Sequence, residues 1–179
     1  SCEEQSWMTV EADMNRQHFE FEKSIRLNVT NETLDAHRVL VKWAVRKTDA
    51  TILREEEQWL EVPALSAVWM DKVELPQIDC FNEYVSYEAW ENDQIISQGT
   101  VIFSYPKYFR YLNPGLTVRV DGDEIVVKAE AYAKSVEIRN ANDDLILEDN
   151  YFDMNAGEHR VKILDGKPDG LTVRSVYDI

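Results

Sequence analysis

Residues 116–128 read LTVRVDGDEIVVK. Apolar and polar residues alternate on both sides of a central Asp-Gly pair. Successive side chains of a strand point to opposite faces, so this segment has one dry face and one wet face. Asp-Gly between two such runs signals a hairpin, because glycine supplies the positive φ that a two-residue turn needs. With Asp121-Gly122 as the turn, Leu116 faces Val127, Val118 faces Ile125, and Arg119 faces Glu124. Both apolar pairs then share one face and the charges pair on the other.

The same texture extends outward. Residues 135–139, 145–147, 158–164 and 171–176 read as short strands between turn-rich stretches at 140–144, 155–157 and 165–170. Upstream, the odd positions from Phe19 to Val29 are apolar except Lys23, which suits a bend or a break between two strands. Val39, Val41, Trp43 and Val45 repeat the pattern against Lys42 and Arg46. Residues 55–62 form a further strand that Pro63 ends. Val73 and Leu75 mark another before Pro76, and residues 84–90 and 94–103 flank Glu91-Asn92-Asp93 as a second hairpin. Residues 64–67 are expected to make a helical turn. The stretch YPKYFRYLNPG, residues 105–115, holds two prolines, which central strands exclude. A domain boundary is placed there, dividing the chain into 1–105 and 106–179. Many short strands without an amphipathic helix define an all-β chain of two antiparallel β-sandwiches. The second, of about 70 residues, is near the size at which an isolated core is marginal, so it is expected to lean on the first.

Composition narrows the function. The chain has 179 residues, of which 44% are hydrophobic and 30% charged, and its net charge is −15. That charge repels phosphate backbones and anionic lipid, so neither nucleic acid nor a membrane surface is an expected partner. No apolar run approaches the ~18 residues of a membrane span. The opening Ser1-Cys2-Glu3-Glu4 has neither the basic start nor the apolar stretch of a signal peptide. A missing initiator Met suggests a fragment or a processed chain. Cys2 and Cys80 are read as free thiols in a reducing, cytoplasmic setting. Asn28-Val29-Thr30 and Asn31-Glu32-Thr33 match a glycosylation pattern but read as strand-end and turn residues.

Chemistry is sparse. Acidic pairs occur throughout, and Glu55-Glu56-Glu57 and Asp143-Asp144 read as solvated surface. His18, His37 and His159 show no metal or triad spacing, so no catalytic, cofactor or metal residue is assigned. Asn140, Asn142 and Asp144 begin like a calcium loop, but Leu145 replaces its glycine and Tyr151 its terminal glutamate. Trp43 sits in the apolar register and reads as core, whereas Trp59 and Trp90 fit either core or surface. Trp69, Tyr105, Tyr108 and Tyr111 fall in loop-like segments, read first as domain packing. A sugar-stacking strip is the alternative, with Trp69, Tyr87 and Trp90 as candidate carbohydrate contacts.

Three segments carry a family resemblance. SCEEQSW, residues 1–7, looks like a chain leaving a catalytic barrel. SIRLNVTNETLDAHRVLVKWAVRKTDATILREEEQWLEVPALSAVW, residues 24–69, and LEDNYFDMNAGEHRVKI, residues 147–163, resemble the two C-terminal immunoglobulin-like domains of bacterial β-mannosidases of glycoside hydrolase family 2. Asn155-Ala156-Gly157 stands where that family has leucine-proline-glycine. The resemblance implies two consecutive immunoglobulin-like sandwiches with a non-catalytic, accessory role. The parent enzyme would be a retaining glycosidase whose catalytic glutamates lie in a (β/α)₈ barrel, the intramolecular partner. β-Linked mannosides or related glycans are the implied ligands. In this reading Tyr151, Phe152 and Met154 fill one end of the small core, the two aromatics contributing about 3–6 kcal/mol, and Gly157 turns the chain so that Val161 and Ile163 return to it. An independent adhesion domain is a third possibility, which no export signal supports.

Overall fold

The computed structural model of the chain describes residues 8–13 and 16–179, with side chains from Phe21 onward. Cys2, Trp7 and the segment 1–7 lie outside the described residues, as does the side chain of His18. The described residues are all-β apart from two short 3-10 turns at Pro106–Tyr108 and Val176–Asp178.

Strands β1 (Met8–Asp13) and β2 (Arg16–Phe21) pair as a hairpin. There follow β3 (Ser24–Ile25), β4 (Asn28–Asn31), β5 (His37–Lys47), β6 (Ile52–Val62), β7 (Ser66–Trp69), β8 (Val73–Glu74), β9 (Glu83–Glu91) and β10 (Gln94–Ile102). A four-stranded antiparallel sheet runs in the order β10-β9-β5-β6. The opposing layer is a two-stranded ribbon interrupted in its middle, with β3 pairing β8 and β4 pairing β7. Met70 N–H to the Leu27 carbonyl bridges its two halves, and Leu75 N–H to the Lys23 carbonyl extends the β3–β8 pair at its outer end.

The break expected at Lys23 is present, since the run 19–29 is shared among β2, β3 and β4. Val39, Val41, Trp43 and Val45 turn inward from β5 and share one core with Ile25, Leu27, Met70 and Val85. Residues 64–67 are not a helical turn. Leu65 has φ +50 and Ser66 already begins β7, because pairing with β4 satisfies its backbone. Asn92 and Asp93 both have positive φ, as a type I′ connection between β9 and β10 requires. Glu55, Glu56 and Glu57 lie exposed on β6, an edge strand, where charge discourages pairing with other chains.

The second sandwich contains β11 (Thr117–Asp121), β12 (Glu124–Ala129), β13 (Ala133–Arg139), β14 (Ile146–Leu147), β15 (Phe152–Met154), β16 (Gly157–Asp165) and β17 (Thr172–Arg174). One sheet runs β11-β12-β16-β14 and the other β15-β13-β17. Ile125, Val127, Val136, Ile138, Phe152 and Val161 fill the space between them.

The opening hairpin differs from its sequence reading by a register step of two. Its turn is Gly122-Asp123, and Val118 faces Val127 while Val120 faces Ile125. Gly122, with φ +66, takes the first central position, as in a type II′ turn. A shift of two keeps every side chain on its face, so the apolar pattern tolerates both registers. The polar face separates them. Arg119 meets Val126 instead of Glu124, and the facing Asp121 and Glu124 are bridged by Arg160 at 3.0 and 2.8 Å. Arg119 and Arg160 both flank Val126 in register, and their stems help bury it.

Tyr151 also departs from expectation. It has φ +66 and is 63% exposed, with its hydroxyl donating to Glu137 Oε1 at 2.7 Å. The left-handed backbone at Tyr151 turns Phe152 and Met154 inward and leaves Tyr151 outside. Of the two aromatics, only Phe152 contributes to the core. No helix among the described residues is long and apolar enough to cross a membrane.

Candidate functional site

The outer face of the β10-β9-β5-β6 sheet carries the main candidate surface. Register places Trp59, Leu40, Trp90 and Ile95 opposite one another across all four strands. Trp59 is 54% exposed and Ile95 44% exposed, while Leu40 and Trp90 are half-buried. The Arg38 guanidinium lies 4.4 Å from the Trp59 ring centroid, and Lys42 Nζ lies 5.3 Å from that of Trp90. The indole N–H of Trp90 donates to Glu88 Oε2 at 2.8 Å, which holds the ring along its own strand.

The next rows change character. Glu57, Lys42, Glu88 and Gln98 form one, and Glu55, Ala44, Ser86 and Thr100 the next. Ala44 and Ser86 are small and buried, so the surface dips into a trough of about 490 Å³ walled by Lys42, Arg46, Glu55 and Glu88. Arg46 Nε donates to Ser86 Oγ at 2.8 Å, and its Nη1 donates to the Ala50 carbonyl at 3.0 Å.

Beyond that row the second sandwich covers the sheet. Tyr84 and Tyr132, 0% and 1% exposed, stack with ring centroids 3.9 Å apart. Phe109 and Tyr111 pack around them. The Tyr84 hydroxyl donates to Asn155 Oδ1 at 2.7 Å. The Tyr132 hydroxyl lies 2.6 Å from Thr100 Oγ1, which in turn donates to Asp153. Asp153 also accepts from Lys134 Nζ at 2.9 Å and from the Ser135 N–H at 2.8 Å. Thr48 and Phe81 contribute carbonyls to Tyr132 N–H and Arg110 N–H. Burial, reinforced by the Asp153 charge, pushes the phenol of Tyr132 far above its ordinary range and that of Tyr111 up to about 12. Gln98 meets His159 across a neighbouring cleft of about 270 Å³. Burial against Phe152, at 4.1 Å between ring centroids, holds His159 below its ordinary value.

The three aromatic residues selected from sequence occupy three different surfaces. Trp90 belongs to the exposed row. Tyr87 is on the opposite, core-facing side of β9, its ring lying over Gly99, where a Cβ would meet Tyr87 Oη at 2.4 Å. Trp69 is in β7, not a loop, and stacks with Arg26 at 5.0 Å on the other layer of the sandwich. Trp59 was missed as a contact residue. Its signal was present: Trp59 and Trp90 both fall in the wet register of their strands.

The dispersed His37 gains partners through folding. Its Nδ1 lies 2.6 Å from Glu91 Oε1 and its Nε2 2.7 Å from Thr33 Oγ1, the order of a nucleophilic triad. Asn31 Oδ1 at 2.8 Å and the Asp35 carbonyl at 3.2 Å compete for the single Thr33 hydroxyl proton. The cluster therefore works as a clamp on the turn before β5. The calcium-like stretch closes on itself, Asn140 Nδ2 donating to Asp144 Oδ1 at 2.6 Å and to the Lys167 carbonyl at 2.9 Å. Among the described residues, no cluster of three or more His, Cys, Asp or Glu could hold a metal ion.

Two stacked β-sandwiches, sealed by an aromatic seam, define a tandem immunoglobulin-like protein. Residues 23–108 match the model of the Mannosidase Ig/CBM-like domain, and residues 111–179 match that of an Ig-fold domain of mannosidases. The chain belongs to this group: it is a pair of the immunoglobulin-like accessory domains of glycosidase-type enzymes, as the resemblance to C-terminal domains of family 2 glycosidases implied. No curated protein matches its sequence. Among solved structures it is similar to the β-D-mannosidase of Dictyoglomus thermophilum, with a TM-score of 0.71, 15% identity and 95% of this chain covered. It is also similar to the exo-chitosanase CsxA of Amycolatopsis orientalis, with a TM-score of 0.61, 11% identity and 94% covered. At such identities the likeness is one of fold. The chain spans 21% and 26% of those two proteins.

Proposed function

We propose that this chain is the non-catalytic accessory region of a family 2 glycosidase of the β-mannosidase type, packing against its catalytic barrel and holding it in a fixed orientation. The observation that carries this reading is the Tyr84–Tyr132 seam. Two fully buried stacked phenols, with hydroxyls partnered across the junction, make the two sandwiches a stiff spacer where a plain linker would leave them free to swing. In this reading residues 1–105 form the first unit and 106–179 the second, in a cytoplasmic enzyme whose barrel supplies two carboxylates for retaining hydrolysis of a β-linked mannoside.

Mixing the 179-residue chain with the separately produced remainder of its parent polypeptide tests the proposal. A stable complex in size-exclusion chromatography, with raised glycosidase activity of the remainder, is expected. Failure to associate would overturn it, as would hydrolysis of nitrophenyl-β-mannoside by the 179-residue chain alone. Direct glycan contact is a second reading, favoured by the tryptophan row on the outer sheet face.

A further inference from the structure

We propose that the outer face of the β10-β9-β5-β6 sheet binds an extended, neutral, β-1,4-linked hexose chain, laid across the strands on the row Trp59, Leu40, Trp90 and Ile95. This goes beyond the barrel-docking reading and does not rest on it. Trp59 and Trp90 are two strands apart, which at the usual strand separation is about 9–10 Å. That distance suits the two-residue repeat of an extended β-1,4-linked hexose chain, so two sugar rings, two residues apart, meet the two indoles. The C–H face of a pyranose is apolar and its rim is hydroxylated. An aromatic row bordered by hydrogen-bonding side chains complements both parts.

The adjoining polar row supplies that border. Glu57 and Glu88 accept from sugar hydroxyls, and Lys42 between them donates. A stacking sugar displaces Lys42 from the Trp90 ring toward Glu57, 3.7 Å away, and Arg38 from the Trp59 ring toward Glu61, 3.6 Å away, which leaves both cations at the rim as donors. The trough floored by Ala44 and Ser86 leaves room beside the row for ring substituents.

Charge selects the ligand class. Carboxylates alternate with the cations Arg38, Lys42 and Arg46 along this face, and the chain carries −15 overall. A phosphate or uronate polymer would be repelled, whereas a neutral polyol hydrogen-bonds to both signs. A second protein would fit poorly. The row is one side chain wide, and a stable interface of about 800 Å² per partner would bury the flanking charges, which interface cores exclude.

The test titrates the intact chain with mannohexaose and cellohexaose, following tryptophan fluorescence and calorimetric heat, with free mannose as the short control. Saturable binding of at least one hexaose is expected, with mannose weaker by tenfold or more. Trp59→Ala, a change on an exposed edge strand, should reduce affinity about tenfold or more. Lys42→Met should also weaken binding, and Trp69→Ala, on the other layer, should leave it unchanged. No saturation by either hexaose up to about 10 mM would overturn the proposal. So would binding that survives Trp59→Ala, or concentration-dependent dimerisation that Trp59→Ala abolishes, which would make a second copy the occupant. Each of these outcomes leaves the barrel-association experiment untouched.

Discussion

The two ends of one sheet face make the instructive comparison. At one end, Tyr84 on β9 disappears beneath Tyr132 of the second sandwich, and both hydroxyls find partners. At the other, Trp59 and Trp90 remain at the surface under cations. The strands and the alternation are the same. The difference lies in what covers the face. An aromatic side chain contributes to stability when a second layer removes it from water. Left half-exposed, it stabilises little and remains available for a ligand.

This contrast predicts a graded series of effects. Tyr132→Ala should be the most damaging change at the seam, costing about 3–5 kcal/mol because it empties a packed aromatic site. Chemical denaturation of this variant against the parent chain checks it. Gly99→Val should cost about 1–3 kcal/mol, since the new side chain occupies the space of the Tyr87 ring; a loss under about 0.5 kcal/mol would show that Tyr87 moves freely. Tyr132→Phe and Tyr111→Phe separate the contributions of two hydroxyls in the seam. The first removes the hydroxyl that meets Thr100, which keeps its bond to Asp153, and should destabilise by about 1 kcal/mol. The second removes a buried hydroxyl that has no hydrogen-bond partner among the described residues, and should be neutral or stabilising. Trp59→Ala, at the open end, should shift stability by no more than about 0.5 kcal/mol.

Acid should act at the covered end as well. Burial holds His159 below its ordinary value of 6.5, so the folded chain keeps the neutral ring. As pH falls below that value the unfolded chain takes up the proton first. The contribution of His159 is therefore fully present above the ordinary value and is lost on acidification. Going from about pH 7.5 to about pH 5 should lower the Tm of the parent chain more than that of His159→Gln, as measured by thermal scans of both.

Much of the fold was legible, because period-2 alternation survives in single strands such as β5 and β12. Register was less so. A shift of two residues in the hairpin around Gly122 leaves the apolar pattern intact, and only the ion pairs of Arg160 distinguish the alternatives. Residues 64–67 read as a helical turn in sequence, yet pairing with β4 makes a strand of Ser66–Trp69. The resemblance places Tyr151 in the core with Phe152 and Met154, but its positive φ turns it outward. The candidate surface was the least legible part. Trp59, Leu40, Trp90 and Ile95 come from four strands, and only their pairing aligns them. Tyr87 and Trp90, three positions apart on one strand, necessarily face opposite ways.

With Tyr84 stacked on Tyr132 across the junction, the two sandwiches are expected to unfold as one cooperative unit. Differential scanning calorimetry of the intact chain reads this out. A single transition with equal calorimetric and van't Hoff enthalpies is expected, which Tyr132→Ala splits into two. Two independent transitions in the unsubstituted chain would contradict it.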